Sequence, residues 1–187
     1  MHSLTKKAAG LLFGDYSAYH IYAFSAGNCR ALARHDTNFR FASVGQAQVE
    51  ASSDPSIAEH ANYHGPQTYA YACFDDAQIV GVCYFWYGAQ YRKRNFWPLG
   101  DSEAKLVQVF TVEEMRGRGV ATQLVAYAAD DMLRKGFERL YARIWHSNKP
   151  SLKAFQHAGW ARVATVIEIH PLRRKAPCRL TFRLQPT

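Results

Sequence analysis

Six residues near the middle of the chain, Arg116-Gly117-Arg118-Gly119-Val120-Ala121, limit its fold more than any other stretch. They stand between two segments of different periodicity. Before them, Glu103 to Val112 carries Leu106, Val107, Val109, Phe110 and Val112, a nearly continuous apolarity that suits a strand covered on both faces. After them, Ala121, Leu124, Val125, Ala128, Met132 and Leu133 recur at helical spacing, with Gln123, Asp130, Arg134 and Lys135 on the other side. Gly136 supplies the stop, and Arg139 to Trp145 reads as the next strand. Strand, glycine turn, helix and strand form a β-α-β unit. Unpaired N–H groups at the start of its helix, together with the helix dipole, favour an anion such as a pyrophosphate. Arg116 and Arg118 add donors for phosphate oxygens.

The remaining segments build around this unit. Tyr16 to Ser25 is aromatic and β-branched enough for a first strand. Val44 to Ser52 and Ser56 to Asn62 suggest two short helices, the second opened by Asp54 as N-cap and Pro55 as first helical residue. Gln67 to Phe74 and Ile79 to Tyr87 read as strands joined by the turn residues Asp75-Asp76, with a loop from Gly88 to Asp101 after them. Pro150 to His157 is a short helix closed by Gly159, and Trp160 to Ile169 and Cys178 to Leu184 complete the sheet. No linker or repeat divides the 187 residues, so the expectation is one mixed α/β domain spanning 1–187.

Composition narrows the function classes. Apolar residues at 48% and charged residues at 20% suit a soluble domain able to hide a pocket, and no run of about 18 apolar residues suggests a transmembrane helix. The start, Met1 to Phe13, is a poor signal peptide. Four cysteines stand far apart, Cys73 and Cys83 inside apolar runs, which points to a reduced, cytoplasmic setting. The eight histidines are scattered without metal-ligand spacing, so no metal is expected. A formal charge of +8, with clusters at Arg92-Lys93-Arg94 and Arg173-Arg174-Lys175, fits solvated loops or attraction of an anion. Nucleic acid is not the expected partner, because the Arg-Gly-Arg-Gly run sits between a strand and a helix rather than on a basic tail.

Three kinds of site use such a glycine turn. A P-loop needs Gly-Lys-Ser/Thr, and Gly119 is followed by Val120 and Ala121. A dinucleotide fingerprint needs a small residue where Thr122 stands and an acid ending the next strand, whereas Glu138 precedes it. What remains, Arg-x-x-Gly-x-Ala from Arg116, Gly119 and Ala121, resembles the coenzyme A pyrophosphate loop of the GCN5-related N-acetyltransferases (GNAT). Downstream, Asn148, Ser151, Ala154, Phe155, Gly159 and Trp160 look like the second signature of that family.

The resemblance implies a GNAT-like fold: a mixed, mostly antiparallel central sheet with a splayed parallel strand pair, helices on both faces. It implies acetyl-CoA as co-substrate, a direct transfer of the acyl group to an amine acceptor (a small molecule, an amino sugar or a protein amine), and homodimers as a common state. Backbone groups of Phe110, Thr111 and Val112 would hold the pantetheine arm. Gly117, Arg118, Gly119, Val120, Ala121 and Thr122, with Arg116, would cradle the pyrophosphate, and Asn148, Ser151 and Phe155 would meet the arm from the second signature.

An amine with pKa near 10 needs help losing its proton. Glu103, thirteen residues before Arg116, has the spacing of the general base in the histone-acetylating branch, and His146, ending the neighbouring strand, is the other candidate. Where many members carry a Tyr as proton donor to the leaving thiolate, this chain has Phe155, which lacks a hydroxyl. That departure gives weight to the alternative of a catalytically silent coenzyme A-binding module. The aromatic crowd from Tyr84 to Tyr87, with Tyr91, Phe96 and Trp97, is divided between core packing and an acceptor pocket.

Overall fold

The computed structural model describes residues 16–28, 39–92, 96–169 and 178–184. Met1 to Phe13, Cys29, Lys93, Arg94 and Arg173 to Lys175 lie outside them. The described strands are β1 Tyr16–Ser25, β2 Arg40–Ser43, β3 Thr68–Asp75, β4 Gln78–Trp86, β5 Glu103–Thr111, β6 Arg139–Trp145, β7 Ala161–Ile169 and β8 Cys178–Arg183. The helices are α1 Gln46–Glu50, α2 Pro55–Ala58 running into a 3-10 turn at Glu59–Tyr63, α3 Gly88–Arg92, α4 Val120–Arg134 and α5 Lys149–His157.

One sheet of order β2-β3-β4-β5-β6-β1-β7-β8 holds the eight strands. Its β5–β6 pair is parallel, as the β-α-β pattern requires, and its other pairs are antiparallel. The first strand slots between β6 and β7, a long-range pairing that no local pattern encodes. Asp54 caps α2 as expected, its carboxylate accepting from the Ser56 N–H at 2.8 Å. Two elements went unforeseen: β2, which pairs with β3, and α3, inside the segment read as a loop.

Helices cover both faces. On one, α4 lies over β3 and β4, its Tyr127 stacked on Phe41 at 5.7 Å and its Asp131 accepting from the buried Tyr71 hydroxyl at 2.8 Å. On the other, Tyr63 of the 3-10 turn packs against Tyr84 and Trp86 of β4, at 5.5 and 6.0 Å. Every residue of β4 from Ile79 to Trp86 is buried between these layers. By contrast β5 is buried only from Ala104 to Leu106; from Val107 to Thr111 it is half-buried. The expectation of a strand covered along its whole length therefore fails at its C-terminal half.

A buried lysine anchors the segment that covers the second face further along. Lys105 is 0% exposed, and its Nζ donates to the Tyr91 hydroxyl at 2.8 Å and the Trp97 carbonyl at 3.1 Å, with the Phe96 ring 3.8 Å away. The Tyr91 hydroxyl also accepts from the N–H groups of Phe96 and Trp97, both at 2.9 Å. This knot holds Phe96 to Leu99 against Tyr19, Ile21 and Tyr141 of the sheet.

Burial lowers the Lys105 pKa to about 6, Arg143 pushes it the same way, and Glu103 opposes them. From that value up to the ordinary 10.5, the unfolded chain binds a proton that the folded chain does not, so this group makes stability rise with pH across that window. Lys105→Met should flatten the rise, removing a slope of at most about 1.4 kcal/mol per pH unit. Urea melts of both proteins at a series of pH values would read it. An unchanged slope would mean that the aromatic faces hold Lys105 as an ammonium.

Candidate active site

The parallel ladder between β5 and β6 runs from Glu103↔Arg139 to Leu106↔Ala142 and then stops, although both strands continue. On the opposite edge of β5 the register to β4 shifts, Tyr84 facing Gln108 and Phe85 facing Leu106, which leaves Val107 as a bulge. A bulge bends its strand and strengthens the twist. Here it bends β5 away from β6. The strands part into a cavity of about 270 Å³ walled by Leu106 to Val109 on one side and Ala142 to Trp145 on the other. Backbone groups of Val107 to Thr111 on that edge have lost their strand partner and face the opening, as on an exposed sheet edge.

A second, larger cavity of about 800 Å³ continues from the first, sharing Val109, Asn148, Ser151 and Phe155 with it. It reaches the start of α4. There Gly119 sits at φ 80 as the N-cap, and no side chain caps the helix. Gly119, Val120, Ala121 and Thr122 line the cavity, so the orphan N–H groups of the first turn stand at its wall. Gly117, at φ 79, has nothing within 4 Å of where a Cβ would stand, which leaves room for a ligand against the backbone. Arg116 and Lys153 add positive charge on the same wall, and the buried Thr111 hydroxyl there has no partner among the described residues.

From the far side, α5 presents Asn148, Ser151 and Phe155. The Asn148 Oδ1 accepts from the Ser151 N–H at 3.2 Å, an ordinary N-cap that leaves the amide N–H groups of a residue lining both cavities available to donate. Phe155 is buried against Trp160 at 5.2 Å and Tyr22 at 6.4 Å. Among the described residues no Asp or Glu lines either cavity. Among the described residues, no His, Cys, Asp and Glu cluster is grouped to hold a metal.

Of the residues singled out in the sequence, Phe110, Thr111, Arg116, Gly117, Gly119, Val120, Ala121, Thr122, Asn148, Ser151 and Phe155 come together on this wall. Val112 and Arg118 do not. The Val112 N–H already donates to the Val80 carbonyl at 3.1 Å, and Arg118 turns to the Met115 sulfur at 3.0 Å. The aromatic crowd is mostly core: of Tyr84 to Tyr87, Tyr91, Phe96 and Trp97, Phe96 reaches the smaller cavity and the others do not. Gln108, Arg143 and Trp145 line that cavity and were missed. A signal existed for Gln108. Polar residues at 103 and 105 alternate, and the next falls at 108, a step of three that marks the bulge.

The acetyltransferase (GNAT) family model matches residues 30–160. A GNAT-family acetyltransferase from Colwellia psychrerythraea superposes with a TM-score of 0.59 at 14% identity, over 89% of this chain and 61% of that one. A GCN5-related N-acetyltransferase from Kribbella flavida gives 0.57 at 14%, over 89% and 61%. A functionally unknown conserved protein from Staphylococcus epidermidis gives 0.57 at 13%, over 90% and 66%. The chain thus spans 61 to 66% of the length of these structures. No curated protein matches its sequence.

The two side chains expected as general base stand apart from the cavities. Glu103 lies at the closed end of the parallel pair, its Oε2 accepting from the Gly100 N–H at 2.8 Å and its Oε1 from the Tyr141 hydroxyl at 3.2 Å. His146 follows Trp145 on an exposed turn, its Nδ1 3.2 Å from the Ala18 carbonyl. Glu103→Gln should therefore act on stability, costing about 1–2 kcal/mol in urea melts as one acceptor is lost. Unchanged stability, together with a loss of acyl transfer steepest at low pH, would return Glu103 to the role its spacing suggests.

Proposed function

The chain belongs to the GNAT acetyltransferase family, and from that premise we propose that it transfers an acetyl group from acetyl-CoA directly to the amine of a small-molecule acceptor. The observation that carries this reading is the uncapped, left-handed start of α4 at Gly119, opening a continuous cleft that ends where β5 and β6 part. A pyrophosphate suits the first-turn N–H groups of α4, with Arg116 and Lys153 as counter-charges. The extended pantetheine, rich in amide groups, pairs with the unpartnered edge of β5 as a strand would. Its thioester then lies near the bulge at Val107, where a backbone N–H can stabilise charge on the carbonyl oxygen.

In the step itself the neutral amine nitrogen attacks the thioester carbonyl carbon, and the carbon–sulfur bond breaks. The coenzyme A thiolate leaves and takes a proton, while the surplus amine proton passes to solvent. Phe155 has no hydroxyl to give that proton, and no carboxylate lines the cavities. Water in the open cleft is the proton carrier in this reading, and the acceleration comes from positioning and backbone electrostatics. The same two observations support a second reading, a coenzyme A-binding module of this fold without catalysis.

Thermal unfolding with acetyl-CoA, with NAD and a DNA duplex as controls, tests the cofactor. At about a hundred times the dissociation constant, acetyl-CoA should add about 2.7 kcal/mol of stability. Gly119→Glu should abolish the shift, by placing a carboxylate against the pyrophosphate; Gly119→Ala, which carries the left-handed strain alone, should keep part of it. No shift with the wild type would sink the proposal. A shift without turnover of any amine would favour the silent module.

A further inference from the structure

The cavity between the parting strands has a charge pattern that selects its occupant. Among the described residues Arg143 is the one charged side chain lining it, and it is the first residue of β6 beyond the parallel ladder. Directly across the opening, Val107 is the first residue of β5 beyond that ladder. The guanidinium is exposed, and its carbon stands over three aromatic faces: Phe96 at 4.5 Å, Trp145 at 5.1 Å and Tyr19 at 5.3 Å. It forms no direct ion pair among the described residues; the nearby Glu168, whose pKa its charge helps to lower, is bonded instead by Arg179 at 2.6 Å and by the Tyr19 hydroxyl at 3.0 Å.

A second polar group is fixed in the same cavity. The His60 Nδ1 lies 2.8 Å from the Ser56 carbonyl, which can only accept, so Nδ1 donates, and in that tautomer Nε2 is the acceptor. The Gln108 Nε2, 3.0 Å away, is the donor to it. Gln108 is thereby oriented with its amide oxygen free to accept. Among the described residues the cavity thus offers a cationic fork and a neutral acceptor, with no carboxylate.

Resting on the acetyl-CoA reading above, we propose that the acceptor is an amine with a carboxylate on the neighbouring carbon, an α-amino acid, whose carboxylate Arg143 binds and whose amine Gln108 receives. A planar guanidinium meets a carboxylate through two parallel hydrogen bonds, which fixes orientation as well as position. An amine one carbon away from that carboxylate then stands at the mouth of the splay, beside the bulge at Val107. Polyamines, aminoglycosides and protein lysines bring positive charge to a cavity that has only Arg143 to meet it, and they are disfavoured.

The test uses matched pairs on the protein saturated with coenzyme A: L-phenylalanine with phenethylamine, L-leucine with isopentylamine, and O-phosphoethanolamine with ethanolamine, plus spermidine and kanamycin. Binding is read by calorimetry, and turnover by thiol release from acetyl-CoA. Each amino acid should bind at least tenfold tighter than its decarboxylated partner, and Arg143→Gln should bring the ratio towards one by raising KM more than it lowers kcat. Arg143→Lys should keep part of the preference, and melting curves of both variants check that they fold. A preference for the plain amines or the polycations, a phosphate preference without a carboxylate one, no binding by any amino acid, or a ratio untouched in Arg143→Gln would overturn the assignment. Coenzyme A binding, read separately by the thermal shift, distinguishes the failures: if it holds while the acceptor preference fails, only this inference falls.

Discussion

The backbone ladder between β5 and β6 joins four residue pairs and no more. Parallel strands normally continue to pair as far as both extend, because each unpaired N–H or carbonyl shielded from water costs free energy. Here the bulge at Val107 and the twist it adds turn β5 away, and the unpaired groups are left facing an open cleft rather than a core. The shape of the smaller cavity follows from that break. It creates the smaller cavity, supplies an edge on which an extended ligand can pair, and brings Val107 opposite Arg143 at the mouth of the opening.

The rest of the fold keeps that break in place. β4, buried on both faces, backs β5 with an antiparallel ladder that runs to Thr111. On the other side, β1 holds β6 along its whole length, from Tyr19↔Trp145 to Ser25↔Arg139. With both outer flanks pinned, the two strands can part without fraying. The Lys105 knot closes one end of the opening by pressing Phe96 over β6, where it also becomes a wall of the cavity. A buried amine is costly, and the hydrogen bonds to Tyr91 and Trp97 are what offset that cost.

The glycine turn and the second signature were legible because their chemistry is local. Gly119 takes the left-handed conformation that its residue type permits, the helix after it starts without a side-chain cap, and Asn148 caps α5 through its own side chain. Such features need only a few neighbours along the chain. Arg118 and Val112 show the limit of spacing as a guide: each stands in the expected stretch, yet one side chain turns to Met115 and the other N–H is spent on β4. Glu103 stands at the paired end of β5 and β6, a placement that a count of residues does not give.

From sequence alone came the β-α-β unit, the glycine turn, the family resemblance and most of the strands, because hydrophobic period and glycine placement act over short distances. What only the tertiary structure decided is the lining of the smaller cavity. Gln108 reaches the cavity through a one-residue bulge, and Arg143 lines it through the point at which a ladder stops. Phe96 comes from a loop pinned by Lys105, and Gln108 is oriented by His60 from a separate 3-10 turn. These groups lie far apart along the chain, and no local pattern joins them. Their meeting is set by strand order and register, which are properties of the whole sheet.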